Sequence, residues 1–180
     1  MTSCSDNETR IRICRSDDLR ALEWGGLFTH HREIIERTYE EQLAGAQLML
    51  VAECHHALVA QVWIDLRSGG VRAAGVIWAL RVHPDSQQQG LGRRLMQSAE
   101  AAICDRGLMV AELHVETTNI AARTFYERLG YVVAGTVQQT YSYTTPWNAV
   151  QTHCLDLLEM RKELESVCRR RRSSAGPSEM

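Results

Sequence analysis

No stretch of this chain approaches the roughly 18 apolar residues of a membrane span. The polar start, Met1 to Glu8, lacks the apolar segment of a secretory leader. An excess of one charge is missing too. The formal net charge of −2, with a pI near 6.4, argues against a general nucleic-acid or membrane-surface binder, so neither partner is expected. Cysteine pairs are absent: the residues at positions 4, 14, 54, 104, 154 and 168 form no Cys-x-x-Cys and no metal-ligand rhythm. No metal is expected, and reduced structural thiols in a cytoplasmic protein are. Cys54 with His55 and His56, and His153 with Cys154, are sequence neighbours. Such neighbours face opposite sides of a strand, which weakens any Cys/His dyad.

What is present suits one ordinary globular domain, since 180 residues with 44% hydrophobic side chains suffice for a real core. Ile11, Ile13 and Cys14 mark a first short strand. Ser16 stands where it would cap a helix through Leu19 and Leu22 to Trp24, broken at Gly25-Gly26. Ile34, Ile35, Thr38, Tyr39, Gln42 and Leu43 predict a second helix, closed by Gly45. Three strands follow: Leu48 to Ala52, then Leu58 to Leu66 across a His55-His56 turn, then, after Ser68-Gly69-Gly70, Gly75 to Val82 with Val76, Trp78, Leu80 and Val82 on one side.

Past Val82 the chain reads His83-Pro84-Asp85-Ser86-Gln87-Gln88-Gln89-Gly90-Leu91-Gly92-Arg93-Arg94 and enters an amphipathic helix that stops at Gly107. Such a turn offers an anion the unpaired N–H groups at the positive end of a helix. It is not a P-loop, because no Gly-Lys-Ser/Thr follows, nor a dinucleotide fingerprint, because Leu95 replaces the third glycine. A further strand, Met109 to Glu116, leads to Asn119, the expected cap of a helix carrying Ala122, Phe125, Tyr126 and Leu129 and ending at Gly130. Two strands, Tyr131 to Tyr143 and Val150 to Leu158, complete the pattern. Residues 1–9 and the basic tail from 165, with Arg169 to Arg172, are expected to be flexible extensions of a domain over 10–164.

Gln87-x-x-Gly90-x-Gly92 after a strand, followed by Asn119-x-x-Ala122-x-x-Phe125-Tyr126-x-x-x-Gly130-Tyr131, resembles the GCN5-related N-acetyltransferase family over about residues 10 to 164. The resemblance implies an α/β (α+β) fold: a mixed, mostly antiparallel sheet of about seven strands, a splayed parallel pair in its middle, and about four flanking helices. It implies acetyl-CoA as cosubstrate, an amine-bearing acceptor, and a monomer or homodimer. Leu80, Arg81 and Val82 fall where backbone groups hold the pantetheine arm, and Gln87, Gln88, Gln89, Gly90, Leu91, Gly92 and Arg93 where the pyrophosphate is held. An arginine often fills one of the rim positions occupied here by glutamines, so Arg93 or Arg94 is expected to compensate.

Asn119 and Tyr126 match residues near the pantetheine and sulfur, with Tyr126 as the acid that protonates the leaving thiolate and the Val82 N–H facing the developing oxyanion. His114 sits where ribosomal-protein alanine acetyltransferases carry a glutamate proposed as base, with Glu112 and Glu116 on the same strand face. Two alternatives stay open: a non-catalytic acyl-CoA-binding regulatory protein, and an interaction protein using the arginine-rich tail.

Overall fold

The computed structural model describes residues 9–28, 31–67, 73–144 and 150–174. Its strands are β1 (Thr9–Ile13), β2 (Gln47–Cys54), β3 (Ala57–Asp65), β4 (Ala74–Val82), β5 (Val110–Glu116), β6 (Val132–Thr144) and β7 (Val150–Glu163). The helices are α1 (Arg32–Leu43), α2 (Leu91–Asp105), α3 (Ile120–Arg128) and α4 (Glu165–Ser174). The seven strands form one mixed sheet in the order β1-β2-β3-β4-β5-β7-β6, with β4 and β5 parallel. By compactness the chain divides into residues 112–162 and the remainder on either side.

In the larger unit, β1 to β4 form an antiparallel meander. Its tightest turn is His55-His56, both at positive φ (47° and 65°), the backbone a two-residue hairpin turn requires. Cys14, Leu22, Ile35, Met49, Val51, Leu58 and Trp63 make a core cluster, against which Leu19, Ile34, Tyr39 and Trp78 pack. Trp63 and Trp78 meet edge to face at 4.8 Å between centroids. Gln42, one of the residues spaced at helical intervals, is a polar strut: its Nε2 donates to the Cys14 carbonyl and its Oε1 accepts from the Met49 N–H. Helix α2 buries Leu91, Leu95, Met96, Ala99 and Ile103. Ile103 lies so near Gly75 that a Cβ there would stand 2.5 Å from its Cγ1.

Several expectations change. Residues 16–26 are two 3-10 turns, Ser16–Asp18 and Ala21–Gly26, and no α-helix. Asp18, and not Ser16, organises their start by accepting from the Arg15 N–H. Trp24 adopts φ 43° and Gly25 φ 65°, which no α-helix allows. Leu43, the last of the residues spaced at helical intervals, is 72% exposed at the end of α1. Residues 165–174 fold as α4, with Cys168 buried and the Arg171 guanidinium on both oxygens of Asp105.

The thiols also differ. Cys104 and Cys168 form a disulfide with Cα atoms 5.2 Å apart, and Cys54 is disulfide-bonded as well. Cys14, buried, and Cys154, exposed, are free. Partners separated by 64 positions meet only through packing of α2 and α4, so spacing could not pair them. The expected turn at Ser68-Gly69-Gly70, residues 1–8, and residues 145–149 of the last connection lie outside the described residues. Among the described residues no helix is long and apolar enough to cross a membrane.

Candidate active site

Strand β4 pairs regularly with β3 up to Trp63↔Trp78, slips one position, and resumes at Gln61↔Arg81. The slip sits at Ala79, whose φ is 51°. A bulge adds one residue to one strand, so the side chains beyond it change faces. The predicted alternation of Val76, Trp78, Leu80 and Val82 on one side therefore fails past Trp78. Arg81 and His83 now face the same side as Trp78: the Arg81 guanidinium lies 4.4 Å from the Phe28 ring centroid, and the His83 ring packs edge-on to Trp24 at 5.4 Å.

The backbone of β4 ends in a defined way. His83 N–H donates to the Val59 carbonyl at 2.8 Å, so Ala60↔Val82 is a non-hydrogen-bonded pair and the Val82 N–H and C=O point away from β3. The Val82 carbonyl accepts from Gln87 Nε2 at 3.1 Å. Gln89 Nε2 reaches the Asp85 carbonyl at 3.5 Å. Gln87 and Gln89 thus brace the turn, and only Gln88 of the three is left as a side chain at the rim.

Gln88 (φ 60°) and Gly90 (φ 77°) take left-handed backbone, and Gly90 caps α2 with no side-chain hydrogen bond to its first amides. Those amides also lack intrahelical acceptors. A Cβ on Gly90 would meet nothing within 4 Å, so it is the left-handed backbone and not lack of space that suits glycine there. Arg94 does not compensate for a rim arginine: its Nη2 is held by the Thr9 carbonyl at 2.7 Å. Arg93 is exposed and has no ion pair among the described residues.

In the smaller unit, Asn119 caps α3 as expected, its Oδ1 accepting from the Ala122 N–H at 3.0 Å. Tyr126 lies between Phe125 and Tyr131, with ring centroids 5.2 Å and 6.0 Å away. Burial pushes its phenol up to about 12, and its hydroxyl has no hydrogen-bond partner among the described residues. His114 Nε2 stands 4.0 Å from Glu112 Oε1. Glu112 Oε2 accepts from Arg161 Nη2 at 2.7 Å, while Arg161 Nε lies 2.9 Å from Glu159 Oε1 at ion-pair range without hydrogen-bond alignment. Glu112, His114 and Glu159 bring a ligand atom each within 4.8 Å of one another, but the Arg161 guanidinium already sits against both carboxylates.

The larger unit thus holds Leu80, Arg81, Val82 and the segment 87–93, and the smaller holds His114, Asn119 and Tyr126. No hydrogen bond or ion pair joins His114 to Tyr126 among the described residues. Sequence reasoning missed the side-chain face of Arg81 and its contact with Phe28. The one available signal was the unusual arginine inside an otherwise apolar strand.

A sequence model of the acetyltransferase (GNAT) family matches residues 16–131, almost two thirds of the chain. Mycothiol acetyltransferase from Beutenbergia cavernae is 39% identical over 75 residues, 42% of this chain and 24% of that protein. The one from Propionibacterium freudenreichii is 28% identical over 71% of this chain and 44% of its own length. The chain spans less than half the length of these curated relatives. Among solved structures, ribosomal-protein-alanine N-acetyltransferase from Brucella melitensis superposes with a TM-score of 0.68 at 20% identity, covering 86% of this chain and 99% of that one. Spermidine N-acetyltransferase from Vibrio cholerae, with CoA and spermine, gives 0.65 at 18% identity over 88% and 96%. At such identities the likeness establishes the fold.

Proposed function

The chain belongs to the GNAT acetyltransferase family, and from that premise we propose that it moves an acetyl group from acetyl-CoA to a primary amine by direct attack in a ternary complex. The observation that supports this most is the turn before α2. Left-handed Gln88 and Gly90 expose an uncapped helix N-terminus, and such amides fit the oxygens of a pyrophosphate. With Gln87 and Gln89 bracing the turn, backbone amides and the helix dipole carry the contact. A solved relative of this fold, yncA from Salmonella typhimurium, holds acetyl-CoA as its cofactor.

Acetyl-CoA supplies the acetyl group activated as a thioester, so a C–N bond forms as the C–S bond breaks and the amine's surplus proton finishes on sulfur. Leu80, Arg81 and Val82 serve through their backbone, and the Val82 N–H, turned away from β3, stabilises negative charge developing on the carbonyl oxygen. His114 takes the amine proton, directly or through water, with Glu112 beside it. Asn119 holds the start of α3, and Tyr126 Oη keeps the proton needed by the leaving sulfur.

Cys14 is unsuited to carry the acetyl group as a covalent intermediate, because it is buried with its thiol pushed up to about 12 by desolvation. A thiol held neutral is a poor nucleophile. Calorimetry should show acetyl-CoA binding, and an amine panel should give thiol release that depends on the amine. Absence of cofactor binding, or release indifferent to every amine, would overturn the assignment.

A further inference from the structure

Arg81 stands out from the rest of the cofactor strand. Its guanidinium is half-buried over Phe28, its Nη1 is fully buried without a hydrogen-bond partner, and no carboxylate among the described residues pairs with it. Burial alone shifts its titration, downward, with no opposing charge contributing. The nearest acid in sequence on the facing 3-10 turn, Glu23, is gripped through both oxygens by Arg32 at 2.7 and 2.8 Å. A second donor shares the defect: Trp24 Nε1 is also fully buried and unpartnered. Trp24 touches the same Phe28 ring, at 5.5 Å between centroids, and also the His83 ring at 5.4 Å.

Two buried donors with no acceptor are costly, since each forfeits the hydrogen bonds it makes in water. The strand and the turn are also locally strained, with Ala79 at φ 51° and Trp24 at φ 43°. Both departures orient these two side chains: without the bulge at Ala79, Arg81 would face the other side of the sheet. A guanidinium and an indole N–H set in an aromatic wall complement an oxyanion attached to an apolar stem. The same arrangement repels a cationic group.

Building on the acetyl-transfer assignment above, we infer that the acceptor amine carries an oxyanion, a carboxylate or a phosphate, and that Arg81 with Trp24 recognises it on the Phe28 side of β4. Leu80 and Val82 flank Arg81 in the strand proposed to hold the pantetheine arm, so the oxyanion is read beside the acetyl group and by a side chain on the other face of the same backbone. Polyamines are excluded from this position, because a second cation would meet an unneutralised guanidinium.

The test compares matched acceptors: α-amino acids, the amines left when their carboxyl is removed, and aminoalkyl phosphates. Expected is a preference in kcat/KM of about tenfold or more for oxyanion-bearing acceptors, with the carboxylate and phosphate arms identifying the source. In Arg81→Met, which keeps a stem against Phe28, the ratio between each matched pair should collapse toward one through a higher KM for the oxyanion-bearing member, and Arg81→Lys should restore part of it. Taking the ratio cancels any loss common to both acceptors. Equal or better use of the uncharged-tail amines by the wild-type protein, or an Arg81→Met effect confined to the KM for acetyl-CoA, would overturn the inference while leaving acetyl transfer standing. If no amine is acetylated, the transfer assignment fails. Quenching of tryptophan fluorescence by N-acetylated amino acids, present in the wild type and lost in Arg81→Met, then still decides whether the oxyanion site exists.

Discussion

Tyr126, as the proposed acid, shows how one environment would act on two partners in a proton transfer. A phenol at about 12 facing a thiol near 8.5 in water would have to give up its proton against roughly 5 kcal/mol. The burial that raises the phenol also raises any thiol brought beside it, because both anions lose the same solvation. The transfer is then feasible where neither anion is hydrated. Tyr126→Phe should lower kcat about 100-fold or more with little change in the KM for acetyl-CoA, measured by thiol release. Because the raised value keeps the phenol neutral, the wild-type rate should not fall from Tyr126 ionisation as pH rises to about 10. At this scale the sequence was legible where a residue's role is set by its own neighbours. Asn119 caps α3 through a local bond to Ala122. Arg81 was illegible because its direction depends on a register slip between β3 and β4 that no periodicity announces.

Elements were read best where the pattern was long and its ends were punctuated. Helices α1, α2 and α3 and the hairpin at His55-His56 follow from spacing and turn residues. Residues 16–26 were misjudged because Leu19 and Leu22 fit helical spacing, while Trp24 takes a left-handed backbone that sets its ring against Phe28 and His83. Helix α4 escaped notice because its only buried described anchors, Leu164 at its entry and Cys168 within it, are too few to make a stripe. Helix α2 reaches β4 through the missing side chain of Gly75. Gly75→Ala would place Cβ 2.5 and 2.8 Å from Ile103 Cγ1 and Cδ1. It should destabilise the fold by about 1–3 kcal/mol, and Ile103→Val in the same chain should recover part of that in denaturant titration.

At the scale of the whole molecule, charge placement matters more than net charge. Arg12 bridges Asp18 and Glu53 and links β1 to the first 3-10 turn and to β2. Its guanidinium, by hydrogen bonding, holds the Asp18 carboxyl below the ordinary carboxylate range. A carboxyl lowered in the folded state adds stability that is complete above its unfolded value near 3.9 and is lost as pH falls through the lower folded value. Asp18→Asn should therefore cost about 1–3 kcal/mol at neutral pH, and the gap from wild type should narrow as acid unfolding is followed below pH 4. Composition foretold the size of the core and the modest charge, but not the bond between Cys104 and Cys168. That bond changes the connectivity of the chain. Residues 112–162 lie entirely within a covalent ring closed at those two sulfurs, so a single cut of the backbone anywhere between positions 104 and 168 leaves the two fragments joined.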